Sequence, residues 1–431
     1  MLIRNTTWID ACGCPQSGAL LVRNERVHLL TPAEANTVTD VETVDGSERL
    51  VLPGLVDAHT HFREPGQAYK EGIENASFAA LKGGVTTILD MPNNRPAINS
   101  AAHLAAKRAL FAVQCRTRWG LHVQAPVADV AALGAYASAK LYMAKSSDLP
   151  AVHALAAITQ VLTSHRVVTV HAEDEAAFVN VSPGHGSRVH HLHRPREAVR
   201  QALKTLQVVL ETLPEKQQPR LVLCHMSTAD EVVWLRQMKA RGFDLWGETC
   251  PHYLWFSEVD YLRDGARYKV NPPLRTVVDV AAIRDALRDG TVDFISSDHA
   301  PHTPAEKADE ATAPSGIAGI EWQAPALVHL VEQGLCDWRR ALAASTHAPA
   351  CCFRLACGKS IEQGSPADLI LLARGRPVGP IVSRAQVDPY ANLPLAWHVE
   401  STFIGGNLCY DARTASPSVI QNPAPEILYE S

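Results

Sequence analysis

"RVVTVHAED" (166–174), "REAVRQALKTLQVVLETL" (196–213) and "RLVLCHMST" (220–228) follow one another along the chain. The first and third are short apolar runs that stop at polar residues. The middle one carries its apolar residues at three- and four-residue spacing, the signature of one helix face. Strand, helix, strand is the unit of a parallel α/β fold.

The unit recurs on both sides. Further strands are expected to end in "VDAHTH" (56–61), "VTTILDMPNN" (85–94), "RWGLHVQ" (118–124), "SAKLYMAK" (138–145), "LWGETCPHY" (245–253) and "VDFISSDHAPH" (292–302). Helical patterns such as "AAHLAAKRALFAV" (101–113), "PAVHALAAITQVL" (150–162) and "ADEVVWLRQMKARG" (229–242) lie between them. Eight such units predict a (β/α)8 TIM-type barrel over residues 53–360. The flanks read differently. "LLVRNERVHLL" (20–30), "VETVDGSERLVLPG" (41–54), "ADLILLAR" (367–374), "VSRAQV" (382–387) and "STFIGGNLCYD" (401–411) are short apolar runs punctuated by turn residues, as in antiparallel strands.

Bulk properties exclude several classes. The 431 residues are 46% hydrophobic and 20% charged with net charge −5, and no basic run marks a nucleic-acid partner. No signal-peptide pattern opens the chain, and no run of about 18 apolar residues predicts a membrane span. The 10 cysteines lack the spacing of zinc ribbons or redox motifs, so free thiols in the cytoplasm are expected. Cys224 and Cys250 read as small buried hydrophobes.

The barrel reading gives the polar residues a meaning. His59 and His61 end strand one, His171 strand five, His225 strand six and Asp298 strand eight, while Lys140 lies on strand four. Barrels of this type build active sites at that end, so these groups should converge at one mouth. Residues i and i+2 share a strand face, which lets His59 and His61 meet one ion. A divalent metal is the economical common partner for so many buried polar groups. An ammonium at Lys140 would be repelled by such a metal. A neutral amine there could instead add carbon dioxide, giving a carbamate whose oxygens bridge two ions.

The strings "PGLVDAHTHFREPG", "GGVTTILDMPNN", "KLYM", "VHAED", "LCHMST", "PHY", "NPPLR" and "SDHAPHT" together resemble dihydroorotases, in the cyclic amidohydrolase branch of the amidohydrolase superfamily. The resemblance spans about residues 48–425. It implies that His59, His61, Lys140 and Asp298 hold one divalent metal, usually zinc, and that N-carboxylated Lys140, His171 and His225 hold a second. It implies that Asp298 is general base and then general acid while a metal-activated hydroxide opens the dihydroorotate ring. The reverse direction closes N-carbamoyl-L-aspartate, the biosynthetic step of pyrimidine synthesis.

Arg63 can grip the substrate carboxylate bidentately, and the resemblance adds Asn93 and His302 to that clamp. Asn271 and Arg275 in "NPPLR" resemble a family loop near the substrate, in which Asn271 would contact the ring, and either could equally brace the loop. Hydantoinases and allantoinases share the metal ligands but act on rings without this carboxylate, so the arginine favours dihydroorotate. A non-catalytic partner of aspartate transcarbamoylase is disfavoured because all six ligand positions are filled. An active enzyme docked on that transcarbamoylase stays open, and a homo-oligomer is expected from the family.

The family resemblance also pairs the flanks, 1–52 and 361–431, into one small β-sandwich. "GSRVHHLHRPRE" (186–197) reads as a surface turn. Ile317 and Ala318 depart from the glycine-rich loop that lies over the substrate in relatives, which puts side-chain packing there in doubt.

Overall fold

The computed structural model describes residues 1–145, 150–181, 183–376, 379–414, 424–427 and 429. The chain opens with β1 (Leu2–Ile9), β2 (Pro15–Arg23), β3 (Arg26–Leu30), β4 (Thr43–Asp45) and β5 (Leu50–Pro53). The barrel strands follow: β6 (Leu55–Thr60), β7 (Val85–Asp90), β8 (Arg118–Leu121), β9 (Val123–Gln124), β10 (Ala139–Tyr142), β11 (Val167–His171), β12 (Arg220–Leu223), β13 (Leu245–Thr249) and β14 (Phe294–Ile295). The chain then adds β15 (Leu369–Arg374), β16 (Trp397–Ile404) and β17 (Asn407–Asp411).

The terminal strands form one eight-stranded mixed sheet, in the order β17-β16-β15-β5-β1-β2-β3 with β4 beside β1. The antiparallel β15–β5 pair joins the two chain ends, matching Leu369 to Pro53 and Leu372 to Leu50. A tight turn links β2 to β3, with Asn24 and Glu25 both left-handed at φ 50° and 59°. Residues 382–387, read as a strand from sequence, form a bent loop instead. Their backbone N–H groups are taken by carboxylates: Val382 and Ser383 donate to Glu321, so no ladder forms.

β6 through β14 are the eight parallel barrel strands, because β8 and β9 are two halves of strand three. The break falls at His122: β8 pairs with β7 and β9 with β10. His122 sits fully buried there, its backbone N–H donating to Asp90 O (3.0 Å) and its ring meeting Ser138 Oγ (2.7 Å). Closure comes beyond β14, where His299 bridges Thr60 and His61 N donates to His299 O (2.9 Å). The barrel strands are short apolar runs buried on both faces, as a parallel sheet covered by helices requires.

The last described residues leave the terminal sheet and lie against the barrel's amino-terminal end. Ala424 N donates to Cys115 O (2.9 Å) and Ile427 N to Trp119 O (2.7 Å). Ile427 joins Val56, Leu89, Val222 and Phe294 in the cluster that fills the barrel floor. Polar chemistry is thereby left to the opposite mouth. No described helix is long and apolar enough to cross a membrane, and all ten cysteines are free.

Candidate active site

One pocket at the carboxyl ends of the barrel strands is lined by His59, His61, Arg63, Asn93, His171, His225, Asn271, Asp298 and His302. Lys140 lies fully buried on β10, alongside these groups. These nine pocket residues, with Lys140 beside them, are the metal-ligand and substrate candidates expected from sequence. Local backbone helps to aim them. Arg63, His225 and Asp298 all take left-handed φ values of 66°, 39° and 45°, a costly conformation held only where the surroundings enforce it.

The hydrogen-bond network fixes where the imidazole protons sit. His59 Nδ1 lies 2.7 Å from Glu248 Oε1, which also accepts from the His225 N–H (3.1 Å). His61 Nδ1 lies 2.6 Å from Asn93 Oδ1. Both rings thus spend their Nδ1 proton on an acceptor. Their Nε2 lone pairs then face Asp298 Oδ1, at 3.4 Å for His59 and 3.1 Å for His61. Burial pushes His59 down to about 3 and His61 down to about 4, so neither ring carries a second proton at neutral pH. Asp298 is equally buried, and its carboxylate oxygen brings a third lone pair to the same point. Three lone-pair donors converge with no hydrogen between them. A divalent cation fits that donor set.

The second pair is arranged alike. His171 Nδ1 faces His225 Nε2 at 3.0 Å, and His171 Nε2 lies 3.1 Å from Glu173 Oε2. Glu173 is in turn gripped by Arg194 (2.6 Å) and Arg275 (3.3 Å). Burial works against Glu173's charge, yet Arg194 and its neighbours keep that carboxyl below its ordinary range. Lys140 Nζ has only Cys224 Sγ at 3.0 Å and the Tyr142 ring at 5.4 Å. Among the described residues no carboxylate lies within ion-pair distance of it, so an ammonium there would lack an ion-pair partner.

Residues 50–409 match the model of the Amidohydrolase family. The chain belongs to the amidohydrolase family. It is 33% identical over 398 residues to a dihydroorotase of Geobacillus kaustophilus, covering 88% of this chain and 91% of that one. A dihydroorotase of Anaeromyxobacter dehalogenans is 34% identical over 401 residues, covering 86% and 89%. In fold the chain is similar to an L-hydantoinase from Arthrobacter aurescens (TM-score 0.87, 21% identity, 99% of each chain covered). A dihydropyrimidinase from Brevibacillus agri gives a TM-score of 0.83 at 22% identity, covering 99% of this chain and 97% of that one.

Four features of this amidohydrolase's site were not read from its sequence. Glu248 sits fully buried on β13 beneath His59, and burial pushes its carboxyl up to about 8. Asn93 does two things, since its carbonyl oxygen is spent on His61 while the residue lines the pocket. The 186–197 segment is not the surface turn expected. His190 and Arg194 are buried, His190 meeting Asn271 Oδ1 (2.8 Å) and Arg194 gripping Glu173. Asn271 is positioned by that histidine, whereas Arg275 is paired to Glu173 and braces the loop. Lys70, the fourth, lines the pocket beside His302.

The 313–318 loop keeps its backbone role. Ile317 O accepts from Ala300 N (2.9 Å), and Ile317 and Ala318 point into buried surroundings. Pro314, Ser315 and Gly316 face the pocket. Gly316 is required, because a Cβ there would collide with the Ala300 carbonyl oxygen.

Proposed function

We propose that the chain is a dihydroorotase, interconverting L-dihydroorotate and N-carbamoyl-L-aspartate. The observation that carries this reading is Arg63. The residue is 9% exposed at the pocket wall, its guanidinium bonded to Pro301 O (3.3 Å) and in contact with His302 Nε2 (3.3 Å). Among the described residues it has no carboxylate partner within ion-pair distance. A buried arginine left thus is costly until an anion arrives, and a ring bearing one carboxylate supplies it.

His59, His61, Asp298 and Lys140 would hold one divalent metal, and Lys140, His171 and His225 a second, with zinc suited to the imidazole-rich set. Such metals supply Lewis acidity at the amide carbonyl and acidify water. The chain's own groups do the rest. Arg63, Asn93 and His302 orient the carboxylate, and Asn271 lies where the ring would rest. Asp298, ionised and held by its left-handed backbone, takes a proton from water and returns it to the ring nitrogen that leaves. Glu248 and the Asn93 carbonyl keep His59 and His61 in the tautomer that offers Nε2 outward.

Two measurements test this. Steady-state turnover of dihydroorotate, hydantoin and allantoin should show strong preference for the carboxylated ring. In Arg63→Met, kcat/KM for dihydroorotate should fall by about 10²–10⁴-fold, since a charge-assisted bidentate contact of about 3–5 kcal/mol is lost. Hydantoin turnover should change little. A wild-type preference for a neutral ring would reject the substrate reading and leave the metal site standing. Separately, Glu248→Leu should weaken metal affinity by about 10–100-fold in chelator competition, while Glu248→Gln, whose amide oxygen still accepts, should lose less. Equal retention of metal in both variants would show that Glu248 does not support His59.

A further inference from the structure

Lys70 has no assigned part in the site, yet it is only 7% exposed and lines the pocket. Its Nζ lies 3.2 Å from His302 Nδ1 and 2.9 Å from Glu306 Oε1. An ammonium can only donate, so His302 Nδ1 must be the acceptor. The ring proton of a neutral His302 is then on Nε2. That nitrogen lies 3.2 Å from Ser315 O, which can only accept and so favours Nε2–H. It also lies 3.3 Å from Arg63 NH2, which can only donate and so opposes it. The Lys70 ammonium at the other nitrogen tips the balance to Nε2–H. Burial, reinforced by the Arg63 and Lys70 charges, keeps the imidazole from taking a second proton.

The partners of this lysine are themselves fixed. Glu306 closes the capping box of residues 304–307, accepting from Thr303 N (3.0 Å) while Thr303 Oγ1 accepts from Glu306 N (3.3 Å). Glu306 therefore holds Lys70 from behind, and Lys70 holds His302. Without the ammonium, the Nδ1–H tautomer would become available to His302. Its Nε2 would then be a lone pair facing Ser315 O and any incoming carboxylate, and the clamp would lose a donor.

We propose that Lys70 is a positioning residue that fixes His302 as the Nε2–H tautomer, so that the proton held at Ser315 O is the one a substrate carboxylate beside Arg63 can share. This rests on the dihydroorotase reading for the identity of the anion, but not for the tautomer itself.

The test pairs kinetics with nitrogen NMR. Lys70→Met removes the donor and keeps the length, while Lys70→Arg restores a cationic donor. In histidine-labelled (15N) protein, with His302→Ala used to assign the ring, wild type should show His302 protonated at Nε2, and Lys70→Met should shift it toward Nδ1. KM for dihydroorotate should rise about tenfold in Lys70→Met with kcat nearly unchanged, and Lys70→Arg should recover most of that. Lys70→Met added to His302→Ala should cost no more than His302→Ala alone. An unchanged tautomer in Lys70→Met would overturn the proposal, as would a full additional loss in the double variant. If wild type turns over only neutral rings, the dihydroorotase reading fails, while the NMR comparison still decides the role of Lys70.

Discussion

Asp298→Asn is expected to lower kcat by about 10²–10⁴-fold, the usual worth of a positioned general acid–base. KM for dihydroorotate should stay near the wild-type value, because Arg63, Asn93 and His302 are untouched. The substitution is a clean probe for a backbone reason. Asp298 sits at φ 45°, and asparagine is among the few residues that tolerate the left-handed region. The amide keeps one oxygen facing the Nε2 atoms of His59 and His61, which lie 3.4 and 3.1 Å from the carboxylate. It cannot accept and return a proton near neutral pH. Metal content by elemental analysis should be measured on the same sample, to separate lost proton transfer from lost metal. A variant with full metal and near-wild-type kcat would remove Asp298 from the proton path and require another carrier.

Much of this arrangement was legible because it depends on periodicity. Strand and helix signals such as Val167–His171 followed by Arg196–Thr212 are local, and the rule that barrel sites gather at strand ends turned scattered histidines into one cluster. The parts that escaped depend on side-chain direction and long-range contact. Glu248 lies in "LWGET", where nothing local says that its carboxylate ends beneath His59, 189 residues away in sequence. His190 and Arg194 stand in a polar, histidine-rich segment that looks solvated. Only the fold shows it folded inward against Glu173 and Asn271. The loop at 382–387 carries strand-like apolar residues, but Glu321 and Glu71 capture its N–H groups before any ladder can form. Lys70 was passed over because a lone lysine in a turn carries no signal until His302 is seen 3.2 Å away.

The second large effect is expected at Lys140. Lys140→Ala should lose at least one metal per chain and reduce kcat by more than the ~100-fold typical of losing an outer partner of a metal ligand. The reasoning starts from burial. Lys140 is fully buried with a thiol and an aromatic ring for neighbours, so a bare ammonium there would have no ion-pair partner among the described residues. Lys140→Met fills the same volume with no nitrogen and should fail in the same way, which rules out a cavity as the cause. The alanine variant leaves room for a small carboxylate. Acetate or propionate added to it, with metal, should restore part of the turnover by supplying the two oxygens that a carbamate would. The methionine variant has no such room and should not respond. Intact-mass or ¹³C-bicarbonate labelling of wild type should place one added CO₂ at this lysine. Two metals and full turnover in Lys140→Ala would sink the carbamate assignment, and His59, His61, His171, His225 and Asp298 would then have to hold both ions unaided.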